Sequence, residues 1–167
     1  MINSVRKQRG AAMVEMAITI AIFMMLLFAI IEMAILLHTW SKASEATRAA
    51  SRYAIVSTPV TDLSGLSCPG GEVSVTCGDA SCGTLLETVQ GYLPWVDGAN
   101  VRVTYRCSST GFSGRPEELA IRQVEVALEN VTYELAVPNL IGVEGELTLP
   151  DFRSTRTTED LHTPSVP

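Results

Sequence analysis

The sequence has few of the residues on which enzymes and nucleic-acid-binding proteins depend. Of its 167 residues, two are histidines, 18% are charged and 6% are aromatic. It contains no Gly-rich phosphate loop, no G-x-S-x-G nucleophile motif and no His-x-x-x-His pair. The net charge of −6 argues against a general nucleic-acid binder, which needs clustered positive charge. We therefore expect a protein that is not an enzyme, uses no cofactor and binds no nucleic acid.

Positive charge is concentrated at the start of the chain. The first ten residues carry Arg6, Lys7 and Arg9 and no acid, whereas the rest of the chain has a net charge of −9. An apolar run follows at residues 16–37, and Glu32 is its only charged residue. About 20 apolar residues in a helix cross a bilayer core, and flanking basic residues favour the cytoplasmic side. The pattern predicts a single-pass membrane protein with a cytoplasmic N-terminus and an extracytoplasmic C-terminal domain.

The helix is predicted to continue beyond the membrane. The segment after the apolar run is rich in Ala and has no Gly or Pro before Pro59, so one helix is expected from about Ala11 to Val56. Its outer half repeats small or apolar residues every three or four positions, at Leu37, Trp40, Ser44, Thr47, Ser51 and Ala54. This spacing predicts a narrow face of mostly small residues along the outer half of the helix.

Two carboxylates accompany the apolar segment. A charged carboxylate at mid-bilayer costs about 2.5–3.5 kcal/mol on insertion scales, so such a residue usually has a partner or a function. Glu32 lies five residues before the end of the apolar run. Two interpretations of Glu32 stay open, a hydrated or protonated carboxyl near the interface and a possible intramembrane contact with a neighbouring transmembrane helix. Glu15 lies five residues after Gly10, at the start of the apolar segment.

The surroundings of Glu15 read RKQRGAAMVEM from Arg6 to Met16. This stretch resembles the processing site of type IV pilin precursors, in which a prepilin peptidase cuts after the glycine. The resemblance implies cleavage between Gly10 and Ala11, with Glu15 registering each subunit by neutralising the new ammonium group of a neighbouring chain. The alternative is an uncleaved signal anchor whose Glu15 lies at the inner interface.

The resemblance extends over about residues 9–56. Its features are the Gly10 and Glu15 pair, the late Glu32 and the segment EATRAASRYA at residues 45–54. Together they resemble the TadE family of minor pseudopilins, which serve the tight-adherence (Flp, type IVc) pilus systems of bacteria. Met16 departs from the pattern of major Flp pilins, which commonly carry Tyr after the Glu. That departure and the chain length point to a minor component.

The TadE resemblance implies a structural protein of the bacterial inner membrane that is required for pilus assembly, in an initiation or tip complex, and thereby for surface adhesion. The implied partners are a prepilin peptidase, the major Flp pilin, a TadF-like partner, the inner-membrane assembly platform and membrane lipid. The small-residue face around residues 43–54 is expected to let helices approach closely. Two alternatives stay open: an uncleaved anchor or scaffold of the secretion machinery, and a tip adhesin, which an exposed aromatic patch would favour.

All four cysteines follow the membrane segment, at Cys68, Cys77, Cys82 and Cys107. In an exported domain an even number of cysteines predicts disulfides, here two. Their spacing contains no C-x₂-C knuckle, so no metal site is expected. Three connectivities are possible. Cys77–Cys82 with Cys68–Cys107 is slightly favoured because the first pair closes a tight loop that contains Gly.

The predicted organisation has four parts. Residues 1–10 form a basic leader peptide, 11–56 the transmembrane and spine helix, 57–152 an extracytoplasmic α+β domain and 153–167 a polar, frayed tail. The expected fold is α+β and pilin-like. A long N-terminal helix carries a small, disulfide-stapled antiparallel sheet.

Periodicity predicts the elements of the external domain. Residues 84–96 show helical spacing, whereas residues 101–106 and 124–128 alternate as half-buried strands do. The alternation changes phase near Asn130, which predicts a bulge or strand break there. A last strand is expected at 143–149. Loops or turns are expected at 60–80 and 108–117, which are rich in Gly, Ser and Pro.

Overall fold

The computed structural model describes residues 2–67, 70–79, 82–108, 121–140 and 142–157. The helices and strands follow in chain order: α1 Ile2–Val56, β1 Glu72–Thr76, α2 Gly83–Gln90, β2 Val101–Ser108, β3 Ile121–Leu128, β4 Thr132–Glu134, α3 Ala136–Leu140, β5 Glu146–Thr148 and β6 Phe152–Thr157. The contacts divide the chain into two compact units. The first unit joins the residues up to His38 with Tyr133–Leu147, and the second joins Thr39–Thr132 with the residues from Thr148 onward.

Helix α1 ends at Val56, as the sequence predicts. It begins at Ile2, earlier than the predicted start at Ala11. Residues 2–10 contain several good helix formers and lack proline, so they can continue the helix. Within the described residues it is the one helix long and apolar enough to cross a membrane. Its most apolar stretch of 18 residues has a mean hydropathy of 2.8, and none of that stretch is buried inside the protein. This single apolar helix indicates a single-pass membrane protein.

In the first unit, a hairpin at Tyr133–Leu147 accompanies the membrane segment of α1. Strands β4 and β5 pair as a two-stranded sheet, and the short helix α3 lies between them in sequence. The predicted last strand at 143–149 is thus shorter than expected. Gly142 adopts φ of +77°, which closes the turn after α3. Periodicity did not predict α3, because five residues are too few to show a helical repeat.

In the second unit, four strands form a fully antiparallel sheet in the order β1-β2-β3-β6. Strands β2 and β3 confirm the two predicted strands, and Asn130 has φ of +55° at the predicted break. Strand β1 lies in the segment predicted to be a loop. Strand β6 extends from Phe152 into the segment 153–167 that was predicted to be a frayed tail, so that expectation was wrong for residues 153–157. Residues 158–167 and most of the predicted turn at 108–117 lie outside the described residues.

The core of the second unit lies between the four-stranded sheet and residues 39–56 of α1. Most side chains of β2 and β3 are buried, among them Val103, Tyr105 and Val126. Leu85 and Val89 of α2 are also buried. Helix α2 stops at Gln90, earlier than the predicted residue 96, because Gly91 and Pro94 interrupt the helical segment.

The small-residue face of α1 is covered by the sheet of the same chain. The buried residues of this face are Thr39, Ala43, Ala46, Thr47, Ala50, Ser51 and Ala54. The hydroxyls of Ser51 on α1 and Ser154 on β6 lie 2.9 Å apart. Leu37 and Trp40, which the periodicity also placed on the face, are 57% and 45% exposed. The expectation that this face packs against other helices was therefore wrong, because spacing identifies a face but not what covers it.

Candidate processing and assembly site

Gly10 lies in α1. A Cβ atom at this position would meet no heavy atom of the described residues within 4 Å. A glycine inside a helix costs about 1 kcal/mol of helix stability relative to alanine. The packing of the described residues therefore gives no reason for a glycine here. Ala11 follows it on an exposed stretch of the helix.

Glu15 projects from an exposed, apolar part of the same helix. Its neighbours Met13, Val14 and Met16 are 75%, 61% and 65% exposed. Its backbone oxygen accepts a hydrogen bond of 2.8 Å from the hydroxyl of Thr19. Among the side chains that the structure describes, Glu15 forms no ion pair with a basic residue. A carboxylate in lipid without such a partner is costly, so a partner from another molecule would stabilise it.

Glu32 contacts the hairpin of the first unit. Its Oε1 accepts hydrogen bonds from the backbone N–H groups of Ala136 and Val137, and its Oε2 lies 3.2 Å from Val137 N. This intrachain contact is a partner that neither interpretation of the sequence considered, and both interpretations stay predictions. Ala136 and Val137 lie more than 100 positions from Glu32 in sequence, so no local sequence pattern could predict this contact.

One predicted disulfide lies within the described residues. Cys77 and Cys82 are bridged, with Cα atoms 5.3 Å apart. Cys107 is also disulfide-bonded. Cys68 lies outside the described residues, so the pairing of Cys68 with Cys107 stays a prediction.

The carboxylates of the sheet are held by arginines. The side chain of Arg106 donates to Glu72 at 2.8 Å and to Glu125 at 3.1 Å, and these bonds raise the pKa of Arg106. Arg153 lies between Glu125 and Glu129, at 3.4 Å and 3.1 Å. Carboxylates that are already paired with guanidinium groups are poorly placed for acid–base chemistry. No group of His, Cys, Asp and Glu suited to a metal ion occurs among the described residues.

Comparison with known proteins is informative for the N-terminal segment. A family model described as TadE-like protein matches residues 10–52, a segment that includes Gly10, Glu15 and Glu32. No curated protein and no solved structure matches the chain. Over residues 10–52, about a quarter of the chain, the sequence is therefore similar to TadE-like proteins.

Proposed function

We propose that this protein is a minor pilin or pseudopilin required for assembly of a Tad/Flp type IVc pilus used in surface adhesion, acting in the initiation or tip complex. Its TadE-like segment indicates involvement in a Tad pilus system. Families of this kind are structural rather than catalytic. In this proposal the chain is a substrate of the prepilin peptidase.

The observation that carries the proposal is the placement of Gly10. This glycine has no packing role among the described residues, yet it lies directly before Ala11 and five residues before Glu15. A peptidase that must fit a minimal side chain beside the scissile bond supplies the missing reason for a glycine. The leader would then comprise residues 1–10, and the mature chain would begin at Ala11.

Cleavage would give Glu15 its partner. The new N-terminus of Ala11 carries an ammonium group that enters an apolar bundle of helices. A buried charge is stabilised only when an opposite charge accompanies it, and the exposed carboxylate of Glu15 on an adjacent subunit would provide that charge. This pairing would fix the register of each subunit against its neighbours.

The proposed topology follows from charge. The basic leader would stay in the cytoplasm, and residues 57–152 would form the extracytoplasmic domain. The proposed partners are the prepilin peptidase, the major Flp pilin, a TadF-like protein, the inner-membrane assembly platform and membrane lipid. Residues 11–56 would serve as both membrane anchor and spine.

The test is the N-terminal residue of the protein isolated from its native membrane. Intact-mass analysis should find a chain that begins at Ala11. Gly10→Leu should leave the leader attached, whereas the control Ala17→Leu, the same side chain in place of another exposed residue of the helix, should still be cleaved. Wild-type protein that retains Met1 in cells with an active prepilin peptidase would refute the proposal and favour the uncleaved anchor.

A tip adhesin is the second candidate, and exposed aromatic residues favour it. Tyr92 and Trp95 follow α2 and are 40% and 50% exposed. If they contact a surface, the double variant Tyr92→Ala/Trp95→Ala should reduce adhesion while the number of pili stays unchanged. If the number of pili falls together with adhesion, the aromatic pair has no separate adhesive role.

A further inference from the structure

The hairpin Tyr133–Leu147 packs beside the part of α1 that is apolar enough to lie in a membrane. Two open grooves of about 270 and 260 Å³ flank Glu32, and both are lined by residues of α1 and of the hairpin. Their walls are otherwise almost entirely apolar. One groove includes Ala29 and Pro138, and the other includes Phe28 and Tyr133. These grooves lie within the apolar run at residues 16–37, so the hairpin lies at a depth where lipid surrounds the helix.

Several backbone groups of the hairpin have partners within the protein, as such an environment requires. Polar backbone groups in lipid must find partners within the protein, because water is absent. Leu135 N donates to Gly145 O at 2.8 Å, and Val143 N donates to Pro138 O at 2.9 Å. Pro138 itself has no N–H group to satisfy. Besides the bonds within helices and strands, the hairpin amide groups that donate include those of Leu135, Ala136, Val137, Gly142, Val143 and Gly145.

Glu32 completes this set of hydrogen bonds. Its carboxylate accepts from Ala136 and Val137, at the start of α3, where a helix has no internal acceptors for its first amide groups. The same contact removes the cost of an unpartnered carboxylate in the membrane segment. Each group thus satisfies the other in an apolar setting.

We propose that Tyr133–Leu147 is a membrane-inserted hairpin whose partner is the lipid leaflet around Phe28–Leu36. Acyl chains occupy the two grooves, and Glu32 is the acceptor that keeps the hairpin in the leaflet. Glu32 lies five residues before the end of the apolar run, which places it about 8 Å below the boundary. This depth matches that of interfacial elements, about 5–10 Å. The proposal requires that α1 cross a membrane, and it does not depend on entry into a pilus.

The charge of the hairpin does not favour binding to anionic headgroups. The hairpin carries three acids, Glu134, Glu144 and Glu146, and no Lys or Arg. It therefore has no electrostatic attraction to anionic lipid. Its apolar contribution includes Val143, which is 56% exposed. Insertion is accordingly expected to be no stronger in anionic than in zwitterionic vesicles.

Depth-dependent quenching tests this proposal on the full chain in phosphatidylcholine vesicles. Val143→Cys is labelled, without reduction, with an environment-sensitive nitrobenzoxadiazole probe, and Val56→Cys is the matched control because Val56 is 61% exposed in the second unit. We expect blue-shifted emission and quenching by acyl-chain spin labels at position 143, and neither at position 56. The quenching should persist when anionic lipid is added.

Two outcomes at position 143 would overturn the proposal. An unquenched probe with water-like emission would place the hairpin in solvent. Blue-shifted emission without quenching, reversed by dilution in lipid, would assign the grooves to a second copy of the chain.

The role of Glu32 is tested by comparing the quenching at position 143 in Glu32 variants. Glu32→Leu should abolish the quenching at position 143, whereas Glu32→Gln, which keeps an acceptor oxygen, should retain part of it. Met25→Leu is the control within the same helix, at a position outside both grooves. Near-UV circular dichroism, which reports on the contact between Trp40 and Phe152, shows whether the second unit of each variant has folded. If folded Glu32→Leu protein is quenched as strongly as wild type, Glu32 does not hold the hairpin in the leaflet.

Discussion

Ala50 offers a sharp test of how the second unit is held together. Its side chain is fully buried on the face of α1 that the sheet covers. Next to it, Ser51 forms a hydrogen bond with Ser154 of β6, so the helix and the sheet lie close together at this level. Ala50→Leu adds volume where no space is available. Such overpacking typically costs about 1–3 kcal/mol.

The matched control is Ala49→Leu, one residue earlier on the same helix and only partly buried. Alanine and leucine have similar helix propensities, so this change should stay within about 0.5 kcal/mol of wild type. Thermal unfolding in detergent, followed by near-UV circular dichroism, reports on the contact between Trp40 and Phe152, whose ring centroids are 5.3 Å apart. A loss of 1 kcal/mol lowers Tm by about 4–8 °C in a domain of roughly 100 residues.

We therefore expect Ala50→Leu to melt several degrees below both wild type and Ala49→Leu. Equal melting temperatures for the two variants would refute the proposed packing. If Ala50→Leu instead left Tm unchanged and reduced pilus assembly, the face would serve contacts between subunits, as the small-residue spacing first indicated.

Two further predictions concern buried polar contacts of the second unit. Ser51→Ala removes the partner of the Ser154 hydroxyl and of Arg156 Nε, so it should cost about 1 kcal/mol in thermal unfolding, and Ser154→Ala should add little to it in a double-mutant cycle. The hydroxyl oxygen of Tyr105 accepts a hydrogen bond from Val60 N, and burial raises the pKa of Tyr105. The neutral tyrosine is therefore favoured in the folded state. The stability that this difference in pKa contributes is fully present below about pH 10 and is lost as pH rises through the raised pKa. Unfolding measured from pH 8 to 11 should show a steeper loss for wild type than for Tyr105→Phe, and parallel curves would contradict this.

The sequence predicted the elements whose pattern is strong. Helix α1 has a long apolar run and no helix breaker, and β2 and β3 alternate apolar and polar residues. Asn130 shows a further success of this reasoning. The break was predicted from a change of phase, and the residue adopts the left-handed conformation that asparagine tolerates better than most residues.

The missed elements lack such a pattern. Strand β6 reads FRSTRT, with a single apolar residue, Phe152. Its other inward-facing positions, Ser154 and Arg156, satisfy Ser51 rather than fill an apolar core. Strand β1 is short and follows a stretch rich in Gly, Ser and Pro. Such strands are specified by their neighbours in the sheet, and local sequence does not contain that information.

The candidate site divides in the same way. Gly10 and Glu15 stand in a fixed spacing before an apolar helix, so a linear motif picks them out as candidates. The partners of Glu32 lie on the hairpin, and only the fold brings Ala136 and Val137 to its carboxylate. The sequence singled out Glu32 as an acid in an apolar run and left open whether it has a protein partner.

The central claim is that Glu15 registers the subunit in an assembly, and co-purification of Glu15 variants with the other pilins tests it most directly. Removing one member of a buried charge pair costs about 3–5 kcal/mol, which corresponds to a loss of incorporation of about a hundredfold or more. Glu15→Ala should insert into the membrane and lose its leader but fail to co-purify, and Glu15→Gln should be intermediate. Glu45→Ala, which breaks only an exposed ion pair with Arg48, is the control and should behave as wild type. Normal co-purification of both Glu15 variants would contradict the registration role and leave the uncleaved anchor as the better account.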